Sequence, residues 1–80
     1  MEEIRDSLIA VAEQITLDDS DSTILQGYLD DETYYIALIH LRYIVEEQHT
    51  SGHINNVIAD SLLRQLLQIE GDIRESLQKK

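Results

Sequence analysis

Apolar side chains recur along this chain mostly with the period of an α-helix, and the one stretch that outgrows that period lies in its middle. Residues 2–16 place Ile4, Leu8, Val11, Ala12 and Ile15 at helical steps, with Glu3, Asp6, Glu13 and Gln14 mostly on the other side. This is one stripe of an amphipathic helix, and acids in its first turn suit the positive end of the helix dipole. Leu17-Asp18-Asp19-Ser20-Asp21-Ser22-Thr23 breaks the pattern with short polar side chains that favour turns and caps. A loop is expected here, with a new helix starting near Ser22. Over residues 23–29 only a short, weak helical piece is predicted, burying Leu25 with Tyr28 or Leu29, because Gly27 weakens it.

From Thr33 to Val45 only Thr33, His40 and Arg42 fall outside the apolar and aromatic set. A helix that is apolar nearly all round has to be covered on several sides, so this segment is predicted to be the buried spine of the fold. It is expected to run from about residue 31 to 48, with Asp30, Asp31 and Glu32 supplying its cap and first-turn acids. A strand is the rival, since Tyr, Ile and Val favour sheets and residues 39–43 alternate apolar with polar. It fails because no second stretch of comparable β character offers a partner, and the run is too long for an ordinary strand.

His49-Thr50-Ser51-Gly52-His53 reads as a turn, with Gly52 available for a left-handed closing position. The last helix, about 54–78, carries Ile54, Ile58, Leu62, Leu66, Ile69, Ile73 and Leu77 at steps of three or four, widened by Val57, Leu63 and Leu67. About 25 helical residues span roughly 37 Å, against roughly 27 Å for the spine. Ile69, Ile73 and Leu77 therefore overhang and need cover from elsewhere, unless the helix stops at Gly71, where Asp72-Ile73-Arg74-Glu75 has capping-box-like spacing. Continuity through Gly71 is the expectation, with a bend allowed there. The predicted fold is all-α: one domain over residues 1–80, three or four helices in a small antiparallel bundle with the 31–48 helix at its centre.

Composition changes this picture in two ways. A chain of 80 residues buries only about two-thirds of the surface its unfolded form exposes, and with no cysteine there is no disulfide or thiolate metal site to staple it. Together with the wide stripes and the overhang, this predicts a homodimer or docking on another protein. The charge is lopsided: residues 1–50 carry twelve acids against Arg5 and Arg42, whereas residues 51–80 carry four acids against four bases, so the net −10 belongs to the first fifty residues. Direct binding to nucleic acid is disfavoured, since affinity for phosphates needs clustered Lys and Arg. The first residues lack a basic start followed by an apolar run, and no stretch approaches the ~20 apolar residues of a membrane span, so a cytoplasmic protein with no membrane partner is expected.

Candidate chemistry is sparse. His40, inside the apolar run, is a candidate general base or proton switch, but a histidine so placed is expected to be hydrogen-bonded in a core or interface. His49 and His53 have the spacing of two zinc ligands on one helix face, yet Thr50, Ser51 and Gly52 between them should break that helix, leaving two turn histidines. Asp18, Asp19 and Asp21 invite comparison with a calcium loop, but counting from Asp19 puts Ile24 where the loop needs glycine. Arg42 is expected to pair with Glu46 one turn on, with its stem packed on apolar neighbours. Ala59-Asp60-Ser61-Leu62 resembles the Asp-Ser-Leu signature around the phosphopantetheine serine of acyl carrier proteins, a family of small acidic helical proteins. In that family the serine starts a helix near mid-chain with two helices after it, whereas Ser61 falls inside a predicted helix with nineteen residues after it, so the likeness covers four residues and no cofactor is expected. The two-helix turn invites comparison with a helix-turn-helix, but residues 54–60 contain no cation to meet a phosphate backbone.

What remains is a non-enzymatic acidic interaction module: a regulator, adaptor, inhibitor or chaperone-like subunit that meets a protein partner, basic in character, through an apolar helical surface with an acidic border. Tyr28, Tyr34 and Tyr35 are the expected aromatic anchors, with Ile69, Ile73 and Leu77 as the overhanging apolar part. The alternative is a nucleic-acid mimic or phage-type antagonist, built on the carboxylates of Asp18, Asp19, Asp21, Asp30, Asp31 and Glu32.

Overall fold

Helix ends in this chain are decided by which side chain or glycine satisfies the orphan backbone groups. In the computed structural model, which describes residues 2–78, there are four helices: α1 (Glu2–Glu13), α2 (Asp19–Asp30), α3 (Tyr34–Ser51) and α4 (Asn56–Gln78). The described residues contain no strand, so the regular structure is all-α; Met1, Lys79 and Lys80, at the edges of the expected domain, lie outside the described residues. Among the described residues no helix is long and apolar enough to cross a membrane.

The acidic loop turns out shorter than expected, and α2 longer. Asp18 is the N-cap: its Oδ1 accepts the Asp21 N–H at 2.7 Å, and Asp19 and Asp21 follow in the first turn. Capping of this kind contributes about 1 kcal/mol, so α2 begins at Asp19 and not near Ser22. The ~1 kcal/mol cost of Gly27 is offset by burial of Leu25 and Leu29, which makes a three-turn helix of what local propensity alone predicts to be a weak piece.

The start of α3 also departs from expectation. Asp30 ends α2, Asp31 closes it, and Glu32 takes a left-handed φ of 61°. The N–H groups of Glu32 and Thr33 then donate to the carbonyls of Leu29 (3.2 Å) and Tyr28 (2.9 Å), the paired bonds of a Schellman closure. These acids finish the earlier helix instead of capping the spine, which starts at Tyr34 and not near 31. Even the Thr33 hydroxyl donates backwards, to the Tyr28 carbonyl at 3.0 Å. At the other end Gly52, with φ 85°, closes α3 as its sequence position suggests, but α3 runs on to Ser51, so His49, Thr50 and Ser51 form its last turn and not the expected turn after residue 48. Asn55 Oδ1 accepts the Ile58 N–H at 2.9 Å and caps α4, which continues unbroken through Gly71.

The core joins all four helices: Leu8 and Val11 from α1, Leu25 and Leu29 from α2, Leu38, Leu41 and Val45 from α3, and Leu62 and Leu66 from α4. Contacts pair α3 with α4, α1 with α4, α2 with α3 and α1 with α3. The α1–α4 pairing covers most of the overhang. Ile69 and Ile73 sit in the same buried cluster as Ile4, Leu8 and Val11, so α1 covers what the shorter α3 does not reach, and of the three overhanging residues only Leu77 stays exposed.

The spine is not wrapped as predicted. The molecule measures 41 × 25 × 15 Å. Two helix axes packed about 8–10 Å apart, with a backbone radius near 2.3 Å on each side, already occupy some 13–15 Å, so two layers fill the short dimension and no helix is enclosed. Tyr34, Ala37, Leu38, Leu41, Ile44 and Val45 face inward, while Tyr35, Ile36, Ile39 and Tyr43 remain between 44% and 63% exposed.

Two substitutions separate core from helix propensity. Leu41 is fully buried, so Leu41→Ala is expected to lower the unfolding free energy by about 2–5 kcal/mol, read as a fall in the urea midpoint. Gly71 is helical with open space where a Cβ would sit, so Gly71→Ala is expected to raise stability by about 0.5–1 kcal/mol in the same measurement.

Candidate interaction surface

Tyr35, Ile36, Ile39 and Tyr43 stand at i, i+1, i+4 and i+8 of α3 and so share one face, with exposures of 44%, 47%, 49% and 63%. Single exposed apolar residues are ordinary, whereas four on one face make a contiguous apolar patch. The same face becomes acidic at both ends, in Glu32 before Tyr35 and in Glu46 and Glu47 after Tyr43, all exposed. At its N-terminal end the stripe runs into an open groove of about 270 Å³ lined by Ile4, Glu32, Thr33, Tyr34, Tyr35, Ile36, Ile73 and Leu77. The groove therefore gathers four of the six expected interface residues, Tyr34, Tyr35, Ile73 and Leu77. Tyr34 and Ile73 form its floor, being 7% and 5% exposed, and Tyr35 and Leu77 its rim. The other two lie apart: Tyr28 packs edge-on against His40, with ring centroids 5.9 Å apart, and Ile69 is buried beside a groove between α1 and α4.

The helical period alone missed Ile36, Ile39 and Tyr43, together with Ile24 of α2, which is 41% exposed, and it wrongly placed Val57, Ile58 and Leu67 on the buried stripe of α4, where they are exposed singly and not as one face. The signal that finds the α3 residues is charge: Glu32, Glu46 and Glu47 continue their face in both directions, and a face with charged ends points to water.

On the α2 side of the stripe, Asp21 is the organising charge. Its Oδ1 lies 3.7 Å from His40 Nε2, outside hydrogen-bond reach, and Nε2 has no hydrogen-bond partner, so the satisfied histidine expected here is not formed at that nitrogen. The Tyr43 hydroxyl is pushed above the usual tyrosine value, first by its hydrogen bond to the Glu47 carboxylate, then by the Glu47 charge, with Asp21 adding to it. On the α4 side the charges cancel locally: Arg42 faces Glu46 at 3.9 Å, and Arg64 faces Asp60 at 3.0 Å.

The remaining candidates are dispersed. The two triplets of acids, Asp18, Asp19 and Asp21 and then Asp30, Asp31 and Glu32, stand at opposite ends of α2, roughly 15–18 Å apart along the axis, and do not make one continuous patch. Several already hold protein groups: Asp18 caps α2, and Asp30 accepts from Gln26 Nε2 at 2.9 Å and faces Arg5 at 3.7 Å. His49 Nε2 meets Asn56 Oδ1, whereas His53 Nδ1 shares a 2.7 Å hydrogen bond with the Ser51 hydroxyl, so the two rings serve different partners. Among the described residues no three His, Cys, Asp or Glu side chains converge as metal ligands. Ser61 lies inside α4, exposed, and accepts a 3.3 Å hydrogen bond from Gln65 Nε2. No protein-family model, curated protein or solved structure matches this chain.

The Tyr43–Glu47 pair can be read by phenolate absorbance. One of the four tyrosines is expected to ionise above the ordinary value of ~10, to vanish from the titration in Tyr43→Phe, and to return toward that value in Glu47→Ala. A raised tyrosine pKa favours the neutral folded form, so whatever stability the pair contributes is complete below pH ~10 and fades as pH rises through the raised value. Identical titrations of the native chain and Glu47→Ala would refute the pairing.

Proposed function

We propose that this chain is a non-enzymatic protein-interaction module, an antiparallel four-helix bundle that offers the exposed face of α3 to a protein partner and surrounds it with carboxylates. The observation that carries the reading is the contiguous exposure of Tyr35, Ile36, Ile39 and Tyr43 beside a groove rimmed by Tyr35 and Leu77. Holding four large apolar side chains in water costs free energy that docking returns, at about 25 cal/mol for each Å² covered. Tyrosines at 35 and 43 suit such a role, because they combine large contact area with a polar end that tolerates water between encounters. The partner is either a different protein or a second copy of the chain, as in a homodimer, and both would seat on the same face. Contact with nucleic acid is no part of the function, since a molecule of net charge −10 is repelled by phosphates.

The experiment uses three versions of the chain, each checked for native helix content by circular dichroism. An Ile39→Asp, Tyr43→Ser variant alters only exposed positions, and a second variant neutralises Asp18, Asp19, Asp21, Asp30, Asp31 and Glu32. Affinity capture from host lysate and sedimentation velocity are then run on all three. The expected result is that the stripe variant loses the captured partner or the dimer, weakened by about tenfold or more per anchor, while the neutralised variant keeps most of its binding. The reverse pattern, with binding lost only on neutralising the carboxylates, would replace this reading with nucleic-acid mimicry.

A further inference from the structure

The interaction-module reading leaves the occupant of the α3 face open, and the charges around that face choose one. Tyr35 and Tyr43 are eight residues apart, about 12 Å along the helix, which is close to the span of the i, i+3/i+4 and i+7 anchors of one partner helix. The groove of about 270 Å³ at the Tyr35 end provides a recess for one of those anchors, floored by Tyr34 and Ile73. Around the stripe stand Glu32 at the groove, Glu47 one turn past Tyr43, and Asp21, whose charge reaches the Tyr43 hydroxyl, with Glu46 offset by Arg42. The cation on this border among the described residues, Arg42, already faces Glu46 at 3.9 Å.

The geometry points to a basic amphipathic helix as the occupant: a partner segment with large apolar side chains along one stripe and Lys or Arg on both flanks. This rests on the interaction-module reading and narrows it. A second copy fits the charges worse. In an isologous contact each copy sets the same patch against its mate, bringing the Glu32, Glu46 and Glu47 sets into one interface between two molecules of net charge −10. A cationic helix turns that repulsion into attraction that steers encounter at low salt and is screened as ionic strength rises.

The test is a heteronuclear NMR titration of the full chain with a short leucine–lysine peptide patterned as an amphipathic helix. A leucine–glutamate peptide of the same pattern runs beside it, each at low and high ionic strength. The proposal expects amide shifts concentrated at Tyr35, Ile36, Ile39, Tyr43 and the groove, with no binding of the glutamate peptide. Affinity should fall at least about tenfold at high salt. An Ile39→Ser, Tyr43→Ser double variant should bind at least about tenfold more weakly, and Glu46→Gln with Glu47→Gln should flatten the salt dependence. Shifts spread over α1 and the ends of α2, or affinity untouched by the double variant, would mean attraction to a polyanion and would overturn the proposal. Stripe shifts that grow with protein concentration alone, with sedimentation at twice the monomer mass, would overturn it in favour of a second copy and leave the interaction-module reading standing. Silence in every arm would overturn the proposal, while the interaction-module reading would stand or fall by the capture and sedimentation experiment.

Discussion

Two layers of helix are all that a thickness of 15 Å admits, and most of what distinguishes this molecule follows from that limit. A helix in a two-layer packing has one side turned to its neighbours and one to water, whatever its sequence. For α1 the sequence agrees, since its apolar residues gather on one side; α4 buries one apolar stripe but leaves Val57, Ile58, Leu67 and Leu77 exposed at scattered positions around it. For α3 it does not: the helix has more apolar side chains than a single inward face can hold, and the surplus emerges at Tyr35, Ile36, Ile39 and Tyr43. The exposed stripe is thus what remains when a nearly all-apolar helix is placed in a fold too thin to surround it.

The same limit explains the placement of α1. Helix α4 at 23 residues outruns α3 at 18, and in a two-layer arrangement the unmatched length would stand open on its inner side. Docking α1 over that part of α4 brings Ile4, Leu8 and Val11 against Ile69 and Ile73 and completes a core shared by all four helices. A side-chain bond from Gln14 Nε2 to Gln65 Oε1 at 3.0 Å marks the same seam, and Gln48 Nε2, donating to the Thr16 carbonyl at 2.6 Å, ties α3 to the connection after α1. Leu77 falls beyond the reach of this cover and becomes the rim of the groove at the Tyr35 end of the stripe.

Legibility from sequence followed the strength of the local signals. Periodicity of 3.6 residues placed α1 and α4 within a few residues, and Gly52 marked the end of α3, because in each case one dominant interaction fixed the outcome. Acids near helix ends were harder, since an aspartate serves equally as a cap for the helix ahead or as part of the closure behind. Asp30, Asp31 and Glu32 were resolved by backbone bonds to Tyr28 and Leu29 that no composition argument contains. The exposed face of α3 was hidden for a different reason. Thr33 and His40, seven residues apart, fall on one side of the run and Arg42 on the other, so hydropathy gives no single direction for water. Only the acids beyond the run, Glu32, Glu46 and Glu47, break the symmetry. Tyr34 and Tyr35, expected from chemistry, and Ile73 and Leu77, expected from the overhang that α1 covers only in part, meet because the start of α1, the end of α4 and the start of α3 converge.

Charge and apolar exposure make sense as one arrangement. An uncovered stripe of tyrosine and isoleucine is an invitation to nonspecific association. The carboxylates that carry the net −10 are concentrated in the first fifty residues, on α1, on α2 and at both ends of the stripe, so any two copies approaching face to face meet like charges before apolar surfaces touch. That repulsion discriminates by sign alone. It acts on copies of the chain and on other acidic proteins, reverses for a cationic surface, and weakens with salt over a distance of about 10 Å. On the proposed reading, a surface that attracts by apolar contact and sorts by charge gains specificity from its border and affinity from its centre; here the centre lies on α3 and the border is set by Glu47 at the far end of that helix, Glu32 just before it and Asp21 on α2.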